Sequence, residues 1–489
     1  KGAAGGFVPI TTHRYSDGEL VQISEDDLKE ASKRNKEMGS QSMRVIALAA
    51  KKLADDEDMT DLSVVENGMI FLGLVGIMDP PRPEVKEAIR ICQDAGIKVK
   101  MITGDHHMTA SAIGQELSIS GAEDEPVSGA DLRSMSEDEL SDSVEKAIFS
   151  RVTPDQKMRI VSSLQEQGEI VAMTGDGVND APALSGANIG IAMGIAGTDV
   201  AKDAADMVLQ DDNFANIVHA VEEGRKIYQN IRNFVRYQVS TNVAAVALIV
   251  ISTFIFGWEL PLTATQILVI NILMDGPPAV ALGVEKRHGK VMERPPRPVD
   301  EGLPNGRDIA LIFYLGAVMV IGTLIVFFLA GGGVYGNECS LAPFATEADA
   351  GFSVDDCSAG DEAALSAWDS YADTTFADAQ TMTFAVFIVF QLFNVLNCRS
   401  DKDSLFRLGL FSNKAINYAI LASGFLLFLF VHYATFQIPL IGIEFGNLLS
   451  TTPLESVDWV VLIAVASTVF LIEEFRKLMM NSGFFSVRR

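Results

Sequence analysis

The sequence predicts a multidomain α/β protein followed by an α-helical membrane region, and three observations set that class. The first is a split in composition: residues 1 to about 230 are charged and punctuated by glycine, whereas most of 238–489 is apolar and aromatic. The second is an alternation of apolar runs with helical patterns between Met69 and Leu184, the pattern of a doubly wound parallel sheet. The third is a set of six apolar runs of bilayer-crossing length. At 489 residues the chain is also too long for a single core.

Residues 1–66 read as a partial α/β segment, with a helix over Asp26–Met38, a strand over Met43–Ala50 and an Asp-rich polar stretch at Asp55–Asp61. Residues 67–216 form the next domain. Its elements are a strand at Met69–Ile77, a helix at Pro83–Ala95 and a strand at Ile97–Ile102 that ends in Thr103-Gly104-Asp105, with a helix after it. Arg151-Val-Thr-Pro-Asp-Gln-Lys157 precedes another helix, and the apolar run Glu169–Met173 enters the turn Thr174-Gly-Asp-Gly-Val-Asn-Asp180. Residues 217–236 carry Arg225, Lys226, Arg232 and Arg236 on a stalk helix that runs without a break into the first apolar span.

The region 237–489 holds six spans, at about 237–256, 263–284, 308–331, 380–398, 415–436 and 457–476; the last has only a short uncharged core. The loop 285–307 carries Lys286, Arg287, Lys290, Arg294, Arg297 and Arg307, and 399–414 carries Arg399, Lys402, Arg407 and Lys414. The loops 331–379 and 437–456 contain no Lys or Arg. The positive-inside rule therefore places the basic loops, the soluble domains and the C-terminus in the cytoplasm.

Charge and cysteine usage narrow the function. The net charge of −26 disfavours nucleic acid, whose phosphates require a basic footprint, and fits an acidic surface suited to the plasma membrane of a halophilic prokaryote. Four cysteines without a Cys-x-x-Cys pair argue against zinc or iron–sulfur sites. Cys339 and Cys357 share one acidic loop, where a disulfide is plausible if the loop lies outside the cell; Cys92 and Cys398 read as buried thiols.

Three features converge at strand ends. Asp176 and Asp180 sit on a Gly-rich turn after a buried strand, where a carboxylate pair suits Mg²⁺ and where open α/β sheets bind ligands. Thr103-Gly104-Asp105 offers a hydroxyl and backbone N–H groups at a helix start, which serves equally as a helix cap or a phosphate site. Lys157 would neutralise a phosphate, or would simply be a solvated helix residue. No Gly-x-x-x-x-Gly-Lys-[Ser/Thr] loop is present, so nucleotide would not bind by that route. Within the spans, Asn271 and Asp275 lie one turn apart before Gly276-Pro-Pro278, which would interrupt the helix and free carbonyl oxygens for a hard cation. Asn242 and Gln391 are weaker candidates for the same site.

Thr103-Gly-Asp, Lys157 and Thr174-Gly-Asp-Gly-Val-Asn-Asp180 in this order, with Asp79-Pro-Pro-Arg82, Asp211-Asp-Asn-Phe214 and Glu222-Glu-Gly-Arg225, resemble the P-type ATPases, type II calcium pumps in particular. The resemblance implies a haloacid-dehalogenase-like, Rossmann-type phosphorylation domain at 67–216 and a remnant of a nucleotide-binding domain at 1–66. It implies that Asp176 holds Mg²⁺, that Asn179, Asp180 and Lys157 surround the phosphate, and that Lys1, Arg44, Thr103, Gly104, Asp105 and Arg151 meet ATP. The family's Asp-Lys-Thr-Gly-Thr nucleophile string does not occur in this sequence, which starts without Met. The expectation is a C-terminal portion whose N-terminal partner supplies the aspartate, inactive alone. The family's Asn-x-x-Glu reads Asn242-Val-Ala-Ala245 here and its fourth-span Glu is Gln391, while Asn271-x-x-x-Asp275-Gly-Pro-Pro resembles the secretory-pathway Ca/Mn pumps. One divalent cation per cycle, Ca²⁺ ahead of Mn²⁺, is therefore expected. A Na⁺, K⁺ or H⁺ pump, or a membrane-tethered phosphatase of the same fold, are the alternatives.

Overall fold

The computed structural model describes residues 1–7, 10–16, 18–40, 43–52, 66–77, 81–121, 123–286, 290–333, 339–343, 345–434, 446 and 449–481. The chain divides into two compact units, residues 1–222 with 290–300, and residues 223–289 with 301–489. Asp79 and Pro80 of the Asp-Pro-Pro-Arg motif, Arg287 and the Asp-rich stretch at Asp55–Asp61 fall outside the described residues.

In the first unit, β1 (Thr11–Ser16), β2 (Glu19–Gln22), β3 (Arg44–Ala50) and β4 (Met69–Ile77) form one sheet in the order β2-β1-β4-β3. α1 (Glu25–Ser40) accompanies it, with Glu25, Asp26 and Asp27 placed favourably in its first turn. The sequence expectation opened the next domain at residue 67. Instead β4 is laddered to β3 antiparallel and to β1 parallel, so it closes the first sheet. An alternating apolar strand reads the same whichever neighbour it takes, and only the ladder decides.

Beyond α2 (Pro83–Asp94) the strands are all parallel, as expected, but they lie in two three-stranded sheets. One has the order β5-β7-β6, from Met101–Ile102, Ile148–Ser150 and Val127–Ser128; the other has the order β10-β9-β8, from Met207–Leu209, Ile189–Met193 and Ala172–Gly175. α3 (His107–Glu116) follows β5, and α4 (Pro154–Glu166) follows β7. α4 serves both cores: Ile160 and Leu164 pack with Leu132, Leu140 and Phe149, while Val161 packs with Met173, Leu184 and Ala192. β5 and β8 each carry a single ladder among the described residues, leaving one open edge apiece. Lys98, just before β5, reaches Glu145 before β7 at 3.4 Å and Glu169 before β8 at 3.2 Å.

Among the described residues six helices are long and apolar enough to cross a membrane, and they match the six expected spans. α5 (Ala215–Val250) is one continuous helix from stalk to span, ending in an i→i+5 turn at Ile251–Ile255. α6 (Ala264–Val269), a second i→i+5 turn at Ile270–Met274 and α7 (Gly276–Gly283) make the next span. α8 (Gly306–Leu329), α9 (Glu362–Asn397), α10 (Lys414–His432) and α11 (Ser456–Asn481) complete the set. α9 is central: Phe384, Phe387 and Phe390 are fully buried in the core of this unit. The charges that shortened the last expected span are paired at its end, where buried Lys477 donates to the Asn397 carbonyl at 3.2 Å. Cys339 and Cys357 form a disulfide, and Cys92 and Cys398 are buried thiols.

Candidate functional site: a phosphate-type cradle and a buried carboxylate

β8 ends at Gly175, and a short 3-10 turn at Val178–Asp180 folds the chain back. Asp180 is buried, and its Oδ2 accepts the N–H groups of Asp176 at 3.3 Å and Gly177 at 3.1 Å. Its Oδ1 accepts from Lys157 Nζ in a largely enclosed ion pair. A Cβ on Gly175 would collide with the Asp180 side chain, so glycine is required for this fold-back. Lys157 lies inside the first turn of α4 rather than ahead of it, because Pro154 starts the helix.

Asp176 and Asn179 are exposed on the same turn. The Asp176 carbonyl accepts from Thr198 N–H at 2.8 Å, which fixes the turn while its carboxylate faces solvent. The two aspartates are thus not an equivalent metal-binding pair: Asp180 is committed to Lys157 and the backbone, and Asp176 offers the free oxygens. Among the described residues no group of three His, Cys, Asp or Glu could hold a metal ion. One exposed carboxylate still fits Mg²⁺, which keeps several waters and takes its other ligands from phosphate.

The Thr-Gly-Asp loop is held from both sides. Thr103 Oγ1 donates to Asp105 Oδ2 at 3.0 Å and accepts from the Asp105 N–H at 3.1 Å. The Asp105 carbonyl accepts from Arg151 N–H and the Thr103 carbonyl from Val152 N–H, both at 3.1 Å. Arg151 adopts φ +52°, a left-handed conformation uncommon for a side-chain-bearing residue, and its carbonyl lies where a Cβ on Gly129 would be. Thr103, Gly104, Asp105 and Arg151 therefore meet at one edge, and the segment from Arg151 to Lys157 connects them to the Asp180 cradle. His106 caps α3 by accepting from Met108 N–H at 3.4 Å; partial burial, and then His107 and Arg151, hold its pKa below the usual value.

Lys1 is exposed beside β3, where Gly2 bridges Ala47, and Arg44 opens β3 opposite Ile77. Both belong to the first sheet, and the Arg44 side chain lies outside the described residues. Sequence reasoning gave no role to Asp212, which is buried at φ +54°. Its carboxylate accepts the N–H groups of Ile195 and Ala196, each at 2.9 Å, and Arg82 donates to its carbonyl at 2.6 Å. Two of the quoted motifs therefore brace each other.

In the second unit Asp275 is fully buried. Its Oδ1 accepts from the Tyr237 hydroxyl at 3.0 Å, and its Oδ2 has no hydrogen-bond partner among the described residues. An orphaned buried carboxylate oxygen is rare and calls for a ligand. Asn271 does not share this environment. It is exposed, on the i→i+5 turn at Ile270–Met274, whereas Asp275 is buried. Gly276-Pro-Pro does not unwind the helix either: α7 starts there with proline in its first turn, and Ser423 Oγ donates to the Met274 carbonyl at 3.3 Å. Gln391 is buried with both amide atoms unpartnered among the described residues, whereas Asn242 is exposed. Sequence reasoning missed Tyr237 and Asn394, which donates to Ser240 Oγ at 3.0 Å; a tyrosine at a span's start carries no distinguishing signal.

The two stretches of chain that hold these centres each match a known protein family. The profile of the haloacid dehalogenase-like hydrolases matches residues 15–188, and that of the cation transporting ATPase C-terminus matches residues 259–479. The chain thus carries a haloacid dehalogenase-like domain and a cation transporting ATPase C-terminal domain, and its six membrane-length helices mark a multi-pass membrane protein. It is 37% identical to calcium-transporting ATPase 1 of Yarrowia lipolytica over 99% of this chain and 47% of that protein. Calcium-transporting ATPase type 2C member 1 of Bos taurus is 38% identical, with 98% and 44% covered. Calcium-transporting ATPase 1 of Bacillus cereus is 39% identical, with 86% and 44% covered. The chain thus spans a little under half the length of these relatives.

Proposed function

We propose that this chain is the phosphoryl-handling and membrane portion of an ATP-driven pump that carries Ca²⁺ out of the cytoplasm, one ion per cycle. The observation that carries the proposal is Asp275, a carboxylate fully buried among membrane-length helices with one oxygen uncommitted. An apolar bundle tolerates such a group where it serves an ion path. A phosphatase would have no use for it.

In this reading an aspartate from the upstream half of the pump attacks the γ-phosphorus of ATP, ADP leaves, and an aspartyl-phosphate forms. The open edges of β5 and β8 would receive the strand that bears it, between Thr103 and Asp176. Lys157, fixed by Asp180, supplies positive charge to the phosphoryl group, and Asn179 lies on the adjoining turn. Thr103, Gly104, Asp105 and Arg151, with Lys1 and Arg44 from the first sheet, would contact the nucleotide. Bound Mg²⁺, held by Asp176, would neutralise phosphate charge. Gln391 and Ala245 stand where a second site would need carboxylates, which supports the single-ion stoichiometry. The basic loops face the cytoplasm in this reading.

The test is uptake of radiolabelled Ca²⁺ into vesicles by the complete pump. ATP-dependent uptake that Asp275→Asn removes supports the proposal. Uptake of Mn²⁺, Na⁺ or K⁺ in place of Ca²⁺ reassigns the ion, and full activity of Asp275→Asn overturns the site.

A further inference from the structure

At one end of the second unit lies a polar knot that the proposed chemistry does not use. Arg399 is fully buried, and its Nε and Nη2 donate to the Glu285 carboxylate at 2.8 and 3.0 Å. Its Nη1 reaches the carbonyls of Gly409 at 3.1 Å and Leu410 at 3.4 Å, and its Nη2 also reaches Ser412 Oγ at 2.6 Å. Glu285 Oε2 accepts in addition from Asn413 Nδ2 at 2.9 Å, and Asn413 caps α10. Every element entering the knot is thereby tied to one bidentate pair.

α5 grips the same point with one face. Asn230 donates to the carbonyls of Gly283 at 3.0 Å and Glu285 at 3.1 Å. Asn233 donates to the Arg399 carbonyl at 3.0 Å, and Arg236 to the Cys398 carbonyl at 2.9 Å. Tyr237 follows directly, four residues after Asn233 and so on the same face. Glu285 lies just past Val284, the C-cap of the short helix α7, whose N-cap is Asp275. The hydroxyl of Tyr237 and the carboxylate of Asp275 therefore sit on two helices whose relative register is fixed at the knot.

We infer that Glu285 and Arg399 are positioning residues for the transport site: their ion pair holds the chain after α7 to the chain after α9, the two backbone segments that α5 grips, and so keeps the Tyr237 hydroxyl on Asp275 Oδ1, leaving Oδ2 for the cation. The inference rests on the reading of Asp275 as a cation ligand. Apolar side chains of similar volume would stabilise a buried position at least as well as this pair does. What they would not supply is a single register, which a fork of directional hydrogen bonds enforces.

The experiment uses the complete pump and measures the Ca²⁺ concentration for half-maximal ATPase together with the maximal rate. Glu285→Gln should raise that concentration about tenfold while most of the maximal rate survives, and Arg399→Lys, which keeps charge but loses the fork, should fall between it and the parent. Combining Glu285→Gln with Tyr237→Phe should add little to either alone, because both act through one hydroxyl contact. A shift of less than about twofold in Glu285→Gln, or fully multiplicative effects in the double variant, overturns the inference. If Glu285→Gln does not fold, Asn413→Ala removes one bond to the pair and should raise the Ca²⁺ requirement about threefold; no change overturns the inference equally. Asp275→Asn, run in parallel, separates the two levels. Calcium dependence that survives in Asp275→Asn sinks the site reading, whereas a loss confined to Asp275→Asn sinks only the positioning role.

Discussion

The two polar centres of this chain are built by opposite means. Around Asp180 and Thr103 nearly every polar group is satisfied by neighbouring backbone, and the groups left over, Asp176 and Asn179, face solvent. Asp275 is buried away from solvent, and among the described residues one of its carboxylate oxygens and the whole Gln391 amide remain without protein partners. A surface cradle keeps its reactive groups hydrated until a ligand displaces water. A buried centre must hold its unsatisfied groups at a standing cost, and only rigid surroundings keep it from collapsing. Hence the first centre depends on glycine and turn geometry, and the second on helix register.

The largest effect should come from the buried centre. Asp275→Asn is expected to reduce Ca²⁺-dependent phosphorylation and uptake by the complete pump to background, measured with labelled ATP and labelled Ca²⁺. Next, Lys157→Ala should slow phosphorylation by about 100-fold without changing the Ca²⁺ concentration needed, since it removes charge stabilisation from one centre only; a shift in Ca²⁺ requirement would merge the two centres and break the comparison. Gly175→Ala should cost about 1–3 kcal/mol by forcing the Asp180 side chain out of its place, read as a lowered thermal midpoint with less Lys157-dependent activity.

Smallest should be a pH effect at the surface centre. The N–H of Ile195, then that of Ala196, hold the Asp212 carboxyl below its ordinary pKa, with Arg82 adding to them. A carboxylate with a depressed folded-state pKa stabilises above its unfolded value and loses that contribution as pH falls through the folded one. Asp212→Asn should therefore lower the melting temperature near neutrality, with a difference that shrinks as the pH drops below the carboxylate range. A constant difference across that range would assign the effect to packing.

Periodicity was enough for β3, β4, the stalk helix and the six spans, because each is written in local apolar spacing, but β1, β2, β6, β7, β9 and β10 were not expected from it. It could not say that β4 joins β3, or that the parallel strands lie in two sheets, since ladders form between residues far apart in the chain. The Asp180–Lys157 pair was legible as a motif, but the division of labour between Asp176 and Asp180 was not. That division depends on the Gly175 fold-back. Asn271, expected beside Asp275, is exposed where Asp275 is buried, and the i→i+5 turn that carries it has no sequence signature comparable to a helix cap. Glu285 and Arg399 looked like loop charges, one beside a basic stretch and one within another, until the fold buried both.

α9 has a length that its membrane role does not need. Its 36 residues make a rod of about 54 Å, of which the apolar half from 380 onward covers about 27 Å, close to a bilayer's hydrocarbon thickness. The other half, from Glu362, packs through Ala364, Trp368 and Tyr371 on the disulfide-bearing cluster of Cys339, Phe352 and Cys357. Such a mast works as a lever: pivoting the membrane half by about 10° would sweep the far tip through roughly 5 Å. A fluorophore on that tip would therefore report small tilts at the centre of the bundle as displacements large enough to follow in real time.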